Sequence, residues 1–246
     1  MNKILLITLL MLCFMPVLQN KATDSNEQTN QIRPTIALVN RVVEVVERRT
    51  NGVEWTNAKI GDLLTSGDVV KTGPQSFSLI RFYDNSLLRI QELSEVTIYS
   101  DRDKNHYHRH IEVGKGAIGF DVRKEERDRF EFSTATSVAS IRGSSGLFSM
   151  LSAGGDVLLM TSGLAVMKNT QTGEEITVRG GEIAFSRADG SLRKRDINQN
   201  DIQQYGLSLG DTGIQRQGRQ PRTIEIRVMD EQGNVYTRTF TIQGDK

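Results

Sequence analysis

All three histidines of this chain fall on alternate residues, His106, His108 and His110. On an extended strand they share one face, about 6.6 Å apart in succession. Neighbouring imidazoles at that spacing can share a divalent cation. The outer two, about 13 Å apart at the backbone, are too distant for one tetrahedral zinc with bonds near 2.1 Å. An ion on this face would therefore use two of the three histidines and take further ligands from elsewhere. Asp101 and Asp103 are close by, but they precede Lys104 and Asn105 and read as loop residues. The reading that needs no ion is a half-exposed edge strand, with Tyr107 and Ile111 inward and the histidines outward. We adopt it, so no metal ligand is assigned.

The histidines run into GKGAIG (Gly114 to Gly119), which matches a dinucleotide fingerprint letter for letter. That motif works where a strand turns into a helix whose N-terminal amides receive a pyrophosphate. Here FDVRK follows and the alternation continues. The segment about 20 positions on, TATSVASI (Thr134 to Ile141), carries no acidic residue for a ribose. The glycines are therefore expected to be turn and close-packing positions between strands, and no cofactor is implied. RGSSG (Arg142 to Gly146) is one residue short of a nucleophile elbow and leads into the apolar run LFSML, where an elbow needs a helix. KEERDRFE (Lys124 to Glu131) mixes acids and bases and reads as a solvated loop. No catalytic residue emerges, and the chain reads as a non-enzyme.

Composition is consistent with that. Thirty-one Lys and Arg stand against 30 Asp and Glu among 246 residues, a formal net charge of +1, so no global field draws the protein to nucleic acid or an anionic membrane. The basic clusters SLRKRD (Ser191 to Asp196) and RQGRQPR (Arg216 to Arg222) lack interleaved aromatics and read as solvated loops. At the N-terminus, MNK precedes an apolar run, Ile4 to Leu18, of signal-peptide length and too short to span a bilayer comfortably. Export to the periplasm or beyond is expected, with residues 1–22 as leader or uncleaved anchor. Cys13 is the only cysteine, so a chain without its leader has no thiol for disulfides, metal or catalysis.

The elements that must position these residues are short. After a polar linker to residue 34, the apolar runs DVVKT, FSLIRFY, SLLRI, VTIYS, HRHIEV, AIGFDV, FEFST, VASI, LFSML, DVLLM, LAVMK, EITV and EIAFS are separated mostly by Gly, Asn, Asp or Ser. Twenty-two glycines and four prolines fit this rhythm. Val39, Val42, Val43 and Val46 also match a helical face, but valine packs better on a pleated surface, so strand is expected. Asn51-Gly52 predicts a two-residue hairpin. The fold class is thus all-β, a solenoid-like or sandwich-like domain over residues 35–195. Beyond it, DINQNDIQQYG (Asp196 to Gly206) predicts a short helix followed by a linker to residue 221. RTIEIRVMDEQGNVYTRTFTI (Arg222 to Ile242) predicts a hairpin, which needs a docking partner to be stable.

Three segments together resemble the FecR domain family: residues 60–90, 130–150 and 163–192. Gly67, Asp68, Thr72 and Gly73 match its GD…KTG opening. Asp84 and Ser86 match its D-G-S turn, with Asn85 in place of glycine, a substitution that a positive φ permits. Ile141, Arg142, Gly143 and Ser144 match its V-R-G-T signature, although Ser145 to Leu147 set Phe148 later than the tightest pattern. The resemblance spans roughly residues 36–192. It implies an exported all-β module that in regulators of iron uptake relays a receptor's state to an anti-sigma segment. No cytoplasmic helical segment precedes the run beginning at Ile4, so the relay role is not expected here. RVMDEQGNVYTRTFTI further resembles the last two strands of a bacterial immunoglobulin-like domain. The expected function is a binding module for a protein partner or an envelope polymer. The alternative is a periplasmic sensory domain that binds a small ligand or metal and relays it to a partner.

Overall fold

The computed structural model describes residues 34–50, 52–103, 106–124, 129–205, 222–229 and 235–242. The leader and most of the polar linker lie outside them, as do residues 206–221. Among the described residues no helix is long and apolar enough to cross a membrane.

The chain opens with β1 (Thr35–Val43), β2 (Val46–Arg49), β3 (Thr56–Asn57), β4 (Leu63–Thr65) and β5 (Asp68–Thr72). Then come β6 (Phe77–Phe82), β7 (Leu87–Ile90), β8 (Glu95–Asp103), β9 (His106–Lys115) and β10 (Ala117–Asp121). The next run is β11 (Arg129–Ser133), β12 (Ser137–Ile141), β13 (Ser145–Met150), β14 (Asp156–Ser162) and β15 (Leu164–Asn169). β16 (Glu175–Arg179), β17 (Glu182–Ser186) and β18 (Leu192–Asp196) precede the helix α1 (Gln199–Gln204). β19 (Arg222–Met229) and β20 (Val235–Ile242) form a separate antiparallel hairpin. The thirteen apolar runs all lie on strands, as alternation and turn residues predict.

Two nine-stranded sheets result. Sheet A runs β18-β17-β14-β13-β10-β7-β6-β1-β4, and sheet B runs β16-β15-β12-β11-β9-β8-β5-β2-β3. β1, β4 and β5 enter their sheets singly, and from β6 onward the chain lays a hairpin in one sheet, crosses, and lays the next hairpin in the other. β10 breaks the pattern by visiting sheet A as a single strand. Its neighbours in sequence, β9 and β11, consequently run parallel, whereas every other described pair is antiparallel.

The core lies between the sheets, and its largest members meet at this seam. Phe82 meets Phe130 edge-on at 5.1 Å, Phe120 lies 4.8 Å from Phe132, and Phe148 is 6.3 Å from Phe132. Each such pair adds about 0.5–1.5 kcal/mol beyond the area it buries. A smaller apolar cluster, Val157, Leu159 and Ile183, faces the opposite side of sheet A, because these residues alternate with Leu158 and Ala184 of the main core. Ile197 and Tyr205 from either end of α1 pack against it, and this burial pushes the Tyr205 phenol up. α1 has a capping box: the Asn198 side chain accepts the Asp201 N–H at 3.1 Å and the Asp201 carboxylate accepts the Asn198 N–H at 2.8 Å. Arg195 of β18 forks onto the same carboxylate at 2.5 and 2.8 Å and holds it below its usual range.

Several expectations need correction. β9 is the central strand of sheet B, not an edge strand. Asp101 and Asp103 belong to β8, paired with His108 and His106, rather than to a loop. Glu131, assigned to a solvated loop, stands within β11. SLRKRD is an edge strand, β18, and its charges suit an exposed edge that must not recruit another chain. β2 and β3 do pair across Gly52, but the register Arg48↔Thr56 leaves a longer loop than two residues. The valine run is strand, as expected, yet it is split between the two sheets at Glu44, whose φ is +56°.

Candidate functional site

The residues shared with the FecR pattern are gathered at corners where the chain turns or changes sheet. In the opening, the Asp68 carboxylate accepts the Thr65 N–H at 3.0 Å and its hydroxyl at 3.2 Å, and the Gly67 N–H donates to Ile98 O at 2.8 Å. The Thr72 hydroxyl donates to Gln91 O and accepts the Ser94 N–H at 3.1 Å. Gly73 stacks between two corners, its N–H on Val45 O and its O accepting from Leu93. A Cβ at Gly73 would press on the Val45 Cβ at 3.2 Å.

In the second turn Asn85 takes φ +65°, as its place in a D-G-S pattern requires. Asp84 accepts both the N–H and the hydroxyl of Ser86 at 2.9 Å. Ser86 is buried, and its Oγ accepts the Arg123 N–H at 3.0 Å. The Asp84 carboxylate also lies 3.2 Å from the Arg109 guanidinium, the two side chains being 8% and 3% exposed. Arg109 projects inward from β9 among Tyr107, Phe82 and Phe130. In the third segment Gly143 has φ +61°, and a Cβ there would stand 2.6 Å from the Lys124 Cβ. The buried Ser144 hydroxyl donates to Leu164 O at 2.8 Å and accepts the Leu164 N–H at 2.9 Å. Arg142 is exposed and its carbonyl accepts from Ser144 at 3.2 Å. Ser76 and Ser94, which no motif marked, clamp Val45 and Ala117 in the same manner. Buried serines at corners satisfy backbone groups that the ladders leave unpaired.

Each group braces its own corner, and the second and third adjoin through residues 122–124: Arg123 donates to Ser86, while Val122 N–H donates to Ser144 O at 2.9 Å and Lys124 lies against Gly143. The glycine motif is placed as its chemistry predicts. Gly116 turns at φ +84° against Ser94, Gly119 lies within β10, and Phe120 and Asp121 continue the strand, so no helix N-terminus faces a phosphate.

A second locus is the outer face of sheet B. His108 and His110 point outward from β9, while Ile111 and Val113 are buried. The His106 side chain lies outside the described ones. Because β9 and β11 run parallel, Glu131 stands opposite His110 and diagonal to His108. His108 Nε2 is 3.5 Å from Glu131 Oε2, and His110 Nδ1 is 3.6 Å from Glu131 Oε1. His110 Nε2 is 2.7 Å from Ser133 Oγ, and the Tyr99 ring meets the His110 ring edge-on at 5.9 Å. Further along the face, Trp55 packs beneath Lys71 and Arg49, at 4.1 and 4.7 Å from their cationic groups. Histidine spacing alone did not reveal Glu131. The signal was nevertheless present: in FEFST the two phenylalanines must face inward, which turns Glu131 and Ser133 outward.

Residues 68–163 match the family model described as FecR protein. No curated protein matches the chain. Two crystal structures, at 1.65 and 2.50 Å, of a proposed anti-sigma factor from Parabacteroides distasonis ATCC 8503 align with it. Each does so at 9% identity and a TM-score of 0.47, over 56% of this chain and 63% of that one. The chain thus spans less than two thirds of the length of that protein. The family match begins at the aspartate of the GD corner and takes in the D-x-S turn and the R-G-S corner, so residues 68–163 carry the similarity to the FecR domain.

Proposed function

We propose that this protein is an exported, non-catalytic regulatory module that recognises a protein partner or cell-envelope component through the outer face of sheet B. The carrying observation is where the FecR signature groups are engaged. Asp68, Asp84, Ser86 and Ser144 are taken up in corner hydrogen bonds and a buried ion pair, which favours a scaffolding role for the signature. Recognition then falls to exposed surface, and sheet B offers Tyr99 and Leu164 there among charged side chains. Aromatic groups among charges are what interface hot spots draw on. The export reading rests on the apolar run at Ile4 to Leu18.

A photo-crosslinking residue at position 99 or 164, expressed in the native host, tests the reading. One discrete adduct in the envelope fraction is expected from each, and none from the same residue at Ala188, in the exposed turn before β18. Equal labelling from all three positions, or none, would sink the proposal. The mass of the mature N-terminus separately tests export. A sensory variant, in which occupancy of the histidine face changes the partner contact, is favoured by the grouping of His108, His110 and Glu131. Ligand-dependent shifts in melting temperature would distinguish it.

A further inference from the structure

We infer that His108, His110 and Glu131 form an open binding site for a divalent transition cation of the zinc or copper type. The inference names a ligand class for the sensory variant but stands without it, because cation binding is measured on the protein alone. The first observation is topological. The β10 crossing sets β11 parallel to β9 and puts an outward carboxylate beside two outward imidazoles that are two residues apart. An edge strand would have had no such neighbour on that side.

The second observation is the spacing. The two imidazole-to-carboxylate distances, 3.5 and 3.6 Å, exceed the 2.7–3.2 Å of a good hydrogen bond. They lie close to the edge of a tetrahedron built from bonds near 2.1 Å, which is about 3.4 Å. The third observation concerns His110. Its Nε2 reaches Ser133 Oγ at 2.7 Å, and when Nε2–H donates there, Nδ1 turns its lone pair toward Glu131. Two acceptors then face each other, and a cation between them relieves the conflict. In that tautomer Ser133 serves as outer partners of metal-bound histidines do, and the Tyr99 ring lies edge-on beside the imidazole.

Two imidazoles with one carboxylate suit zinc or copper better than calcium or magnesium, which prefer all-oxygen shells. Among the described residues no three such groups already converge on one point, so binding must draw the side chains together. They have room to move, since His108, His110 and Glu131 are 45%, 34% and 29% exposed. The same exposure leaves a coordination position open to water or to a donor from another molecule. Asp101, opposite His108 on β8, is a further carboxylate in register.

The test is calorimetric titration of the full chain with zinc chloride alone in metal-free buffer. One ion per chain is expected. His108→Ala, His110→Ala and Glu131→Gln should each weaken binding at least tenfold, and His106→Ala should leave it within about twofold. Circular dichroism melts without metal check that each variant folds. Glu131→Gln, which keeps the side chain's shape, is decisive should a histidine variant fold poorly. Cobalt substitution provides a second readout, with visible bands of tetrahedral intensity in the wild type that are lost in Glu131→Gln. The assignment is overturned by the absence of saturable zinc binding, by equal affinity in the variants, or by loss in His106→Ala with Glu131→Gln intact. A protein that binds zinc but yields no crosslinked partner would leave this inference standing and remove the partner reading.

Discussion

Two hairpins in sheet A carry the same D-x-S turn, residues 82–86 between β6 and β7 and residues 187–191 between β17 and β18. Their local hydrogen bonds correspond one for one. Phe82 N–H donates to Ser86 O and Asn85 N–H to Phe82 O, while Arg187 N–H donates to Ser191 O and Gly190 N–H to Arg187 O. In each, the aspartate accepts the N–H and the hydroxyl of the serine two residues on. The surroundings differ. Asp84 faces Arg109 inside the domain, whereas Asp189 is exposed and held below its usual carboxylate range by Ser191. The second hairpin has its guanidinium partnership elsewhere, through Arg195 of β18 and Asp201 of α1. The turn residues differ too. Asn85 is exposed, but a Cβ at Gly190 would stand 2.4 Å from Thr172 Cγ2. A short motif therefore specifies the turn, while neighbours far away in sequence decide how much stability rests on it.

Substitutions can widen or erase this contrast. The largest effect is expected from Asp84→Ala, which removes the carboxylate facing a buried guanidinium along with both turn hydrogen bonds. We expect a loss of about 3–5 kcal/mol in urea unfolding. Gly190→Asn should cost about 1–3 kcal/mol through overlap with Thr172, and Thr172→Ser, which deletes the offending methyl, should recover most of it. Asn85→Gly, the reciprocal exchange, should stay within about 0.5 kcal/mol. Were the two exchanges equally costly, the turn itself and not its surroundings would be the cause.

Asp201→Asn should cost about 1–2 kcal/mol near neutral pH, as it weakens a helix cap and a charged pair. Because Arg195 lowers the folded pKa of Asp201, that stabilisation is present above the unfolded value of about 3.9 and is lost as pH falls through the folded one. The gap between wild type and variant should therefore close in acid, as unfolding curves at neutral pH and below pH 4 would reveal. A small effect is expected from Asp189→Ala, whose urea midpoint should move far less than that of Asp84→Ala. Similar shifts for the two alanine variants would dissolve the distinction drawn between the hairpins.

Much of the fold was legible because strand alternation and turn chemistry are local. FSLIRFY and FEFST declare their inward faces by themselves, and Asn85 declares a positive φ. The β18 strand was missed because LRKRD carries the charges of an exposed edge, which in a list of residues look like those of a loop. The histidine face was half legible. The row of histidines is written along one strand, but Glu131 joins it only through a pairing of strands separated by a crossing. The same limit hid Arg109, an arginine between two histidines whose inward direction follows from alternation but whose partner, Asp84, lies 25 residues earlier.

The lone visit of β10 to sheet A also bears on the order of assembly. Antiparallel hairpins zip from their turns, but between β9 and β11 the chain must first pass through β10 in the opposite sheet. Closing that excursion costs chain entropy before any β9–β11 bond forms, so this seam depends on a non-local contact that a hairpin such as β8–β9 does not need.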